Sequence, residues 1–165
     1  MFQHKPLLYV TILLLQSCLP DKDQPKPADV LPPYTQQGAN TIGCLVDGRV
    51  LVPGFSMADK YFGWSAVDND FTYYIHKDNE RVYVGIWDGT VNDTGVYDLK
   101  FIRGKREVYY INTQIGGGDA INGQLHIKYW NKQKHIMAGT FYFDVLKGDS
   151  SIIKITEGRF DMIYN

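Results

Sequence analysis

The chain has few cysteines, little net charge and no long hydrophobic run. Its 165 residues include 2 cysteines, which excludes a small domain held together by a disulfide framework. A formal net charge of -1 gives no basic excess, so nucleic acid is not expected as a partner. The longest mainly apolar run, residues 7–15, would make a helix of only about 14 Å. A bilayer core is about 30 Å thick, so this run is too short to span a membrane.

The composition is rich in aromatic residues and glycine. Aromatics make up 14% of the chain, with 12 tyrosines, and there are 16 glycines. Aromatic residues favour half-buried strands, and glycine favours the tight turns that join them. Hydrophobic residues at 44% and charged residues at 21% are ordinary for a folded domain. The composition therefore indicates one strand-rich domain.

The N-terminus has the features of an export signal. Histidine and lysine side chains precede the apolar run, as the charged region of a signal peptide precedes its hydrophobic region. The run ends in Leu15-Gln16-Ser17-Cys18, which resembles the lipobox of bacterial lipoproteins. We therefore expect residues 1–17 to be a signal peptide cleaved after Ser17. Cys18 is then expected to carry a covalent lipid that anchors the chain to a membrane, and no other cofactor is expected.

A proline-rich segment follows the predicted lipid anchor. Residues 18–33 contain most of the 7 prolines, namely Pro20, Pro25, Pro27, Pro32 and Pro33. Such a sequence favours extended polyproline-like chain and would reach about 50 Å at about 3.1 Å per residue. We expect it to tether a β domain of residues 34–165 to the outer membrane of the cell envelope. The sequence leaves open whether that domain faces the periplasm or the cell surface.

Alternating apolar and polar residues predict an all-β domain. Asp47-Gly48, between two such runs, is typical of a type I′ hairpin turn because both residues tolerate positive φ. Residues 116–119, with three glycines, are predicted to be a loop, and Glu157-Gly158 is predicted to be a turn between two strands. No window of the mature chain predicts a long amphipathic helix. About ten short strands predict an antiparallel sandwich or a partly closed barrel, which the sequence does not distinguish.

Four stretches, taken in order, resemble an uncharacterised family of small Bacteroidota lipoproteins. They are residues 38–44 (GANTIGC), 46–53 (VDGRVLVP), 139–143 (GTFYF) and 155–161 (ITEGRFD). The resemblance covers nearly the whole β domain and implies an envelope-anchored, β-rich protein. The family brings no established activity, cofactor or catalytic residue. The resemblance therefore bears on location more than on chemistry.

The remaining cysteine and the histidines predict no reactive or metal site. Cys44 has no partner once Cys18 carries lipid, and it lies in an apolar stretch. We interpret it as an inert buried thiol, because no cationic residue is near in sequence to lower its pKa. His76, His126 and His135 lack the spacing of a zinc site, so no metal is expected.

The sequence contains no catalytic motif. Gly-x-Ser-x-Gly is absent, and the carboxylates are too many for one pair to be chosen as glycosidase residues. We expect a non-catalytic domain that binds a ligand or serves in assembly of the envelope. A hydrolase with a site dispersed along the sequence remains the alternative.

Aromatic residues are the candidate ligand-binding residues. Tyr73-Tyr74 and Tyr109-Tyr110 are adjacent pairs, and neighbours on a strand point to opposite faces, so each pair places one ring outside the core. Exposed rings can stack on sugar faces or anchor a protein partner from the envelope. The alternative is that they form cross-strand pairs that only stabilise the sheet. The candidates are Trp64, Trp87, Trp130, Tyr74 and Tyr109.

Overall fold

The computed structural model describes residues 30–164. The predicted signal peptide, the cleavage position after Ser17, the lipidation site Cys18 and residues 18–29 of the predicted tether lie outside the described residues. Within residues 30–164, no helix is long and apolar enough to cross a membrane.

Ten antiparallel strands form a sheet that curls into a half barrel. The strands are β1 (Thr41–Val46), β2 (Arg49–Leu51), β3 (Lys60–Trp64), β4 (Phe71–Lys77), β5 (Glu80–Ile86), β6 (Gly95–Asp98), β7 (Arg106–Asn112), β8 (Gly116–Asn131), β9 (Ile136–Leu146) and β10 (Ile152–Ile163). Their order across the sheet is β2-β1-β10-β9-β8-β7-β5-β4-β3, with β6 paired to β8. The all-β prediction is confirmed, and the partly closed barrel is the architecture that forms.

β1 and β2 form the predicted hairpin. Asp47 and Gly48 adopt φ values of 48° and 82°, and a type I′ turn requires positive values at both positions. Val46 pairs with Arg49 directly across the turn. The prediction of this hairpin is confirmed, including its two turn residues.

The predicted loop at residues 116–119 is wrong, because these residues begin β8 and pair with β7. A Cβ atom at Gly117 would collide with the carbonyl oxygen of Tyr110, and one at Gly118 with that of Leu146. Glycine serves here to let neighbouring backbones approach closely. A glycine run gives the same signal in sequence whether it turns the chain or packs against a backbone.

The predicted turn at Glu157-Gly158 is also wrong, because these residues form a bulge inside the continuous strand β10. The pairing of β10 with β9 shifts in register between Ile155 and Gly158, and Glu157 has a φ of 50°. Left-handed backbone beside a glycine occurs in bulges as well as in turns, so the two are alike in sequence. The bulge bends β10 away from a regular pleat.

The core lies on the concave side of the curled sheet. Ring centroids of Phe62 in β3 and Phe160 in β10 are 5.2 Å apart, and those of Tyr73 in β4 and Phe141 in β9 are 5.1 Å apart. These contacts join strands that are distant in the sheet order, and each buried apolar ring contributes about 1.5–3 kcal/mol. Cys44 is fully buried in this core as a free thiol, and burial raises its pKa.

Residues 30–40, which we call the strap, precede β1, and residues 35–39 lie against the outer face of β10. The carboxylate of Asp161 accepts hydrogen bonds from the Thr35 hydroxyl and from the backbone amides of residues 37–39. Burial by itself would raise the pKa of Asp161, but these hydrogen bonds together outweigh it and hold the pKa below its ordinary value. Asp161 therefore fixes the strap as a carboxylate.

The last residues of the predicted tether, 30–33, are part of the strap. Val30 and Pro32 line a cavity of about 240 Å³ together with Ile42 of β1 and Val52 beyond β2. This end of the proline-rich segment packs on the domain.

Candidate functional site

Tyrosines on four neighbouring strands form one row across the sheet. Tyr61 of β3 pairs with Tyr74 of β4, Tyr74 pairs with Tyr83 of β5, and Tyr83 pairs with Tyr109 of β7. Apart from Lys60, the residues adjacent to them along each strand are buried in the core, so the four tyrosines point to the outer face. We call them the tyrosine row.

Rings of the tyrosine row stack on one another. The Tyr83 and Tyr109 centroids are 4.9 Å apart with planes at 10°, and those of Tyr61 and Tyr74 are 5.9 Å apart at 17°. The guanidinium carbon of Arg81 lies 5.4 Å from the centroid of Tyr74. Rings fixed in this way lose little further freedom when a ligand binds, which favours affinity.

Glycines beside the row leave room for its rings. Gly63 and Gly85 follow Tyr61 and Tyr83 by two residues and therefore share their face of the sheet. A Cβ atom at Gly85 would lie 3.0 Å from Cε1 of Tyr83 and 2.9 Å from Cζ2 of Trp87, and one at Gly63 would collide with the Tyr61 hydroxyl. The rings thus lie over glycine backbone.

Trp87 extends the aromatic surface beyond the row. Its indole Nε1 donates a hydrogen bond of 3.0 Å to the Thr72 hydroxyl, and its ring meets that of Tyr83 edge to face at 6.5 Å. Burial raises the pKa of Tyr83 above its ordinary value, which extends the pH range in which its hydroxyl is a hydrogen-bond donor.

A cavity of about 440 Å³, which we call the glycine cavity, lies at the β8 end of the row. It is lined by Tyr109 and Ile111 of β7 and by residues 116–119 of β8. Asp119 is the direct cross-strand partner of Tyr109, so a carboxylate lies beside the ring. Because Tyr83 covers the other side of Tyr109, the β8 side of that ring is the one that borders the cavity.

Three of the predicted ligand-binding residues therefore share one surface. Tyr74 and Tyr109 belong to the tyrosine row, and Trp87 adjoins it. Tyr61 and Tyr83 belong to the same surface but were not among the predicted residues. Each begins a Tyr-x-Gly sequence, and that repeated pattern is the signal that would have identified them.

The other two predicted residues, Trp64 and Trp130, lie apart from the row. Their rings meet edge to face at 4.9 Å and pack against the core. Trp64 donates its indole hydrogen to the carbonyl oxygen of Val91 at 2.8 Å, and Trp130 donates to the Tyr164 hydroxyl at 2.9 Å. Both indoles have the partners expected of structural tryptophans at the edge of a core.

Among residues 30–164, no group of three histidine, cysteine or acidic side chains is arranged to hold a metal ion. No protein-family model matches the chain, and neither a curated protein nor a solved structure matches it significantly. What the chain binds is therefore inferred from the geometry of its outer face.

Proposed function

We propose that this chain is a lipoprotein of the bacterial outer membrane whose β domain binds carbohydrate and catalyses no reaction. The lipid on Cys18 anchors it, and the proline-rich segment between Cys18 and the strap holds the domain away from the bilayer. The lipobox-like sequence and the resemblance to small Bacteroidota lipoproteins support the anchoring. The binding role is supported by one observation above all, a stacked tyrosine row that ends at a cavity.

The chemistry of this surface suits a neutral sugar. One face of a pyranose is apolar and packs on an aromatic ring, here that of Tyr109, while its hydroxyls need polar partners. Asp119 offers a carboxylate acceptor beside that ring. A volume of about 440 Å³ is within the usual range of small-ligand sites, about 300–1,000 Å³.

The cavity favours binding over hydrolysis. Asp119 is the one carboxylate among the described residues that line it. Most glycoside hydrolases use a pair of carboxyl groups that flank the scissile bond, about 5–9.5 Å apart. A lone carboxylate can orient a sugar hydroxyl but cannot supply both the acid and the nucleophile or base.

A glycan array probed with the full chain, solubilised in a polyoxyethylene detergent, tests the binding role. We expect retention of neutral glycans, and Tyr109→Ala should weaken the strongest interaction at least about tenfold, or about 1.4 kcal/mol. Tyr129→Ala, which removes a ring of β8 outside this surface, is the matched control and should bind as the wild type does. A blank array, or equal binding by Tyr109→Ala, contradicts the proposal.

Metabolic labelling with an alkyne fatty acid tests the anchor. Cys18→Ser should abolish labelling and move the protein out of the membrane fraction, because the acylated sulfur is lost. Cys44→Ala removes the other, buried cysteine and should keep full labelling. Labelling that persists in Cys18→Ser would rule out the proposed lipid site.

A further inference from the structure

A second concave surface lies on the outer face of β8, β9 and β10. Its volume is about 630 Å³, and we call it the polar groove. The side chains on which its chemistry depends are Tyr34, Gln124, His126, Lys128, Tyr142 and Arg159. None of them belongs to the tyrosine row or to the glycine cavity, so this surface is independent of the function proposed above.

Two irregular features of the chain form the groove. On one side the bulge around Glu157 interrupts the pairing of β10 with both of its neighbours. On the other side stands Tyr34 of the strap, whose position follows from the hydrogen bonds that Asp161 accepts from residues 35–39. The fold thus builds a wall at each side of the exposed strands.

The middle of the groove is a polar row across three strands. Thr140 of β9 pairs with His126 of β8 on one side and with Arg159 of β10 on the other. Gln124 and Tyr142 form the next cross-strand pair. An imidazole, a guanidinium, an amide and two hydroxyls therefore converge on one concave surface.

The charge of the groove is positive on balance. Arg159 forms a 3.1 Å ion pair with Glu157, whose side chain is 64% exposed. The ammonium of Lys128 lies 5.4 Å from the ring centroid of Tyr34, and no described carboxylate forms an ion pair with it. Two cations thus face one solvated carboxylate in this part of the described chain.

We propose that the polar groove binds an acidic oligosaccharide, with the carboxylate of a uronic acid residue held between Lys128 and Arg159. Guanidinium and ammonium groups are the usual partners of carboxylates in proteins. Gln124, Thr140 and Tyr142 hydrogen-bond the sugar hydroxyls, and the ring of Tyr34 packs on the sugar face. A free phosphate would fill only a small part of the volume and leave these groups without partners.

Calorimetric titration of the full chain in polyoxyethylene detergent tests the proposal, with digalacturonate as the probe. We expect saturable binding of digalacturonate and at least about tenfold weaker binding of its dimethyl ester, which keeps every hydroxyl but loses the charge. Inorganic phosphate and the dipeptide Asp-Asp are the comparison anions, and each should bind at least about tenfold more weakly than digalacturonate.

Variants assign the binding to the groove. Arg159→Gln and Lys128→Gln should each weaken digalacturonate binding at least about tenfold, while Lys105→Gln, an exposed lysine before β7, should leave it unchanged. Lys128 is exposed on β8, so Lys128→Gln is expected to fold and carries the test even if Arg159→Gln does not. A urea unfolding curve checks the fold of each variant.

Several results would overturn the proposal. Absent binding of digalacturonate, or equal binding of its ester, excludes an acidic sugar as the ligand. Comparable binding of Asp-Asp or of phosphate shows a general anion site instead of a sugar site. Wild-type affinity in a folded Lys128→Gln variant shows that the sugar binds elsewhere.

Discussion

The outer face of the sheet differs between its two ends. Across β3, β4, β5 and β7 it carries stacked tyrosines over glycine. Across β8, β9 and β10 it carries charged and amide side chains and is bordered by the strap. Both ends share one curled backbone and one core. The difference arises from which residues occupy the outward positions of each strand, together with the strap and the β10 bulge at the polar end.

The two ends are also stabilised by different forces. Ring contacts and ring burial order the aromatic end, and these respond little to pH. Charge-assisted hydrogen bonds to Asp161 order the strap at the polar end, and these require an ionised carboxylate. A substitution at one end should therefore leave the other end unchanged, and acid should weaken the polar end but not the aromatic end.

The largest effect is expected from Asp161→Ala. This substitution removes the acceptor for the Thr35 hydroxyl and for the backbone amides of residues 37–39, in a side chain that is 1% exposed. We expect a loss of about 3 kcal/mol in the free energy of unfolding, since hydrogen bonds to charged groups are worth about 1.5–3 kcal/mol each and the freed strap regains water. Urea denaturation measures it.

The control for this substitution is Asp144→Ala, a half-buried carboxylate on the outer face of β9 whose side-chain partner is Asn122. It should cost under about 1 kcal/mol. Limited proteolysis should cut Asp161→Ala, but not Asp144→Ala, within the strap. Equal losses in the two variants would mean that Asp161 holds the strap no more firmly than an ordinary surface carboxylate.

Acid should reproduce part of this loss in the wild type. The pKa of Asp161 is lowered in the folded state, so its stabilising contribution is fully present above the unfolded value of 3.8 and is lost as pH falls through the lower folded pKa. The difference in unfolding free energy between the wild type and Asp161→Asn should stay constant from pH 7 to about pH 5 and shrink below about pH 4. Other carboxylates with lowered pKa values occur in both proteins and cancel in the difference.

A difference that does not change down to pH 3 would contradict a lowered pKa of Asp161. Digalacturonate binding is a second measurement on the wild type and Asp161→Asn. The substitution should weaken this binding, because Asp161 fixes the strap and the strap positions Tyr34 in the polar groove. The aromatic end should keep its glycan binding in Asp161→Asn.

The two ends also differ in how far they can be predicted from the sequence. The alternation of apolar and polar residues was enough to predict the all-β class, and Asp47-Gly48 was enough to predict the first hairpin. Both features depend on residues that are close in sequence. Outward aromatics at Tyr74 and Tyr109 followed from the period of a strand. Local signals of this kind predict much of the aromatic end.

The polar groove could not be predicted, because it depends on contacts between distant residues. Asp161 binds residues more than a hundred positions earlier in the chain, and nothing near it in sequence marks it as a strap ligand. Glu157-Gly158 indicated a turn, whereas the neighbouring strands keep β10 continuous and turn the same residues into a bulge. The packing of Trp64 and Trp130 against the core could not be predicted from nearby residues either, since the two rings, distant in sequence, bury each other.

Gly85→Ala should disturb the aromatic end alone. The new methyl group would lie about 3 Å from Tyr83 and Trp87, so both rings must move. We expect a cost of about 1 kcal/mol in unfolding free energy and a shift in tryptophan fluorescence, with weaker binding of neutral glycans and unchanged digalacturonate binding. Gly95→Ala, where a Cβ meets no atom closer than 3.6 Å, is the control. Loss of binding at both surfaces would show that the two ends are coupled.

A stability change of similar size but opposite sign is expected in the core that the two ends share. Among the described residues, the hydroxyl of Tyr73 is a fully buried group with no hydrogen-bond partner. Tyr73→Phe removes that hydroxyl and keeps the ring against Phe141, so we expect the free energy of unfolding to rise by about 1 kcal/mol. Tyr110→Phe removes a buried hydroxyl that donates to Glu80 at 3.2 Å and should lower it by about 1 kcal/mol. If both variants lose stability, the hydroxyl of Tyr73 has a partner in solution, and the contact between β4 and β9 is polar as well as apolar.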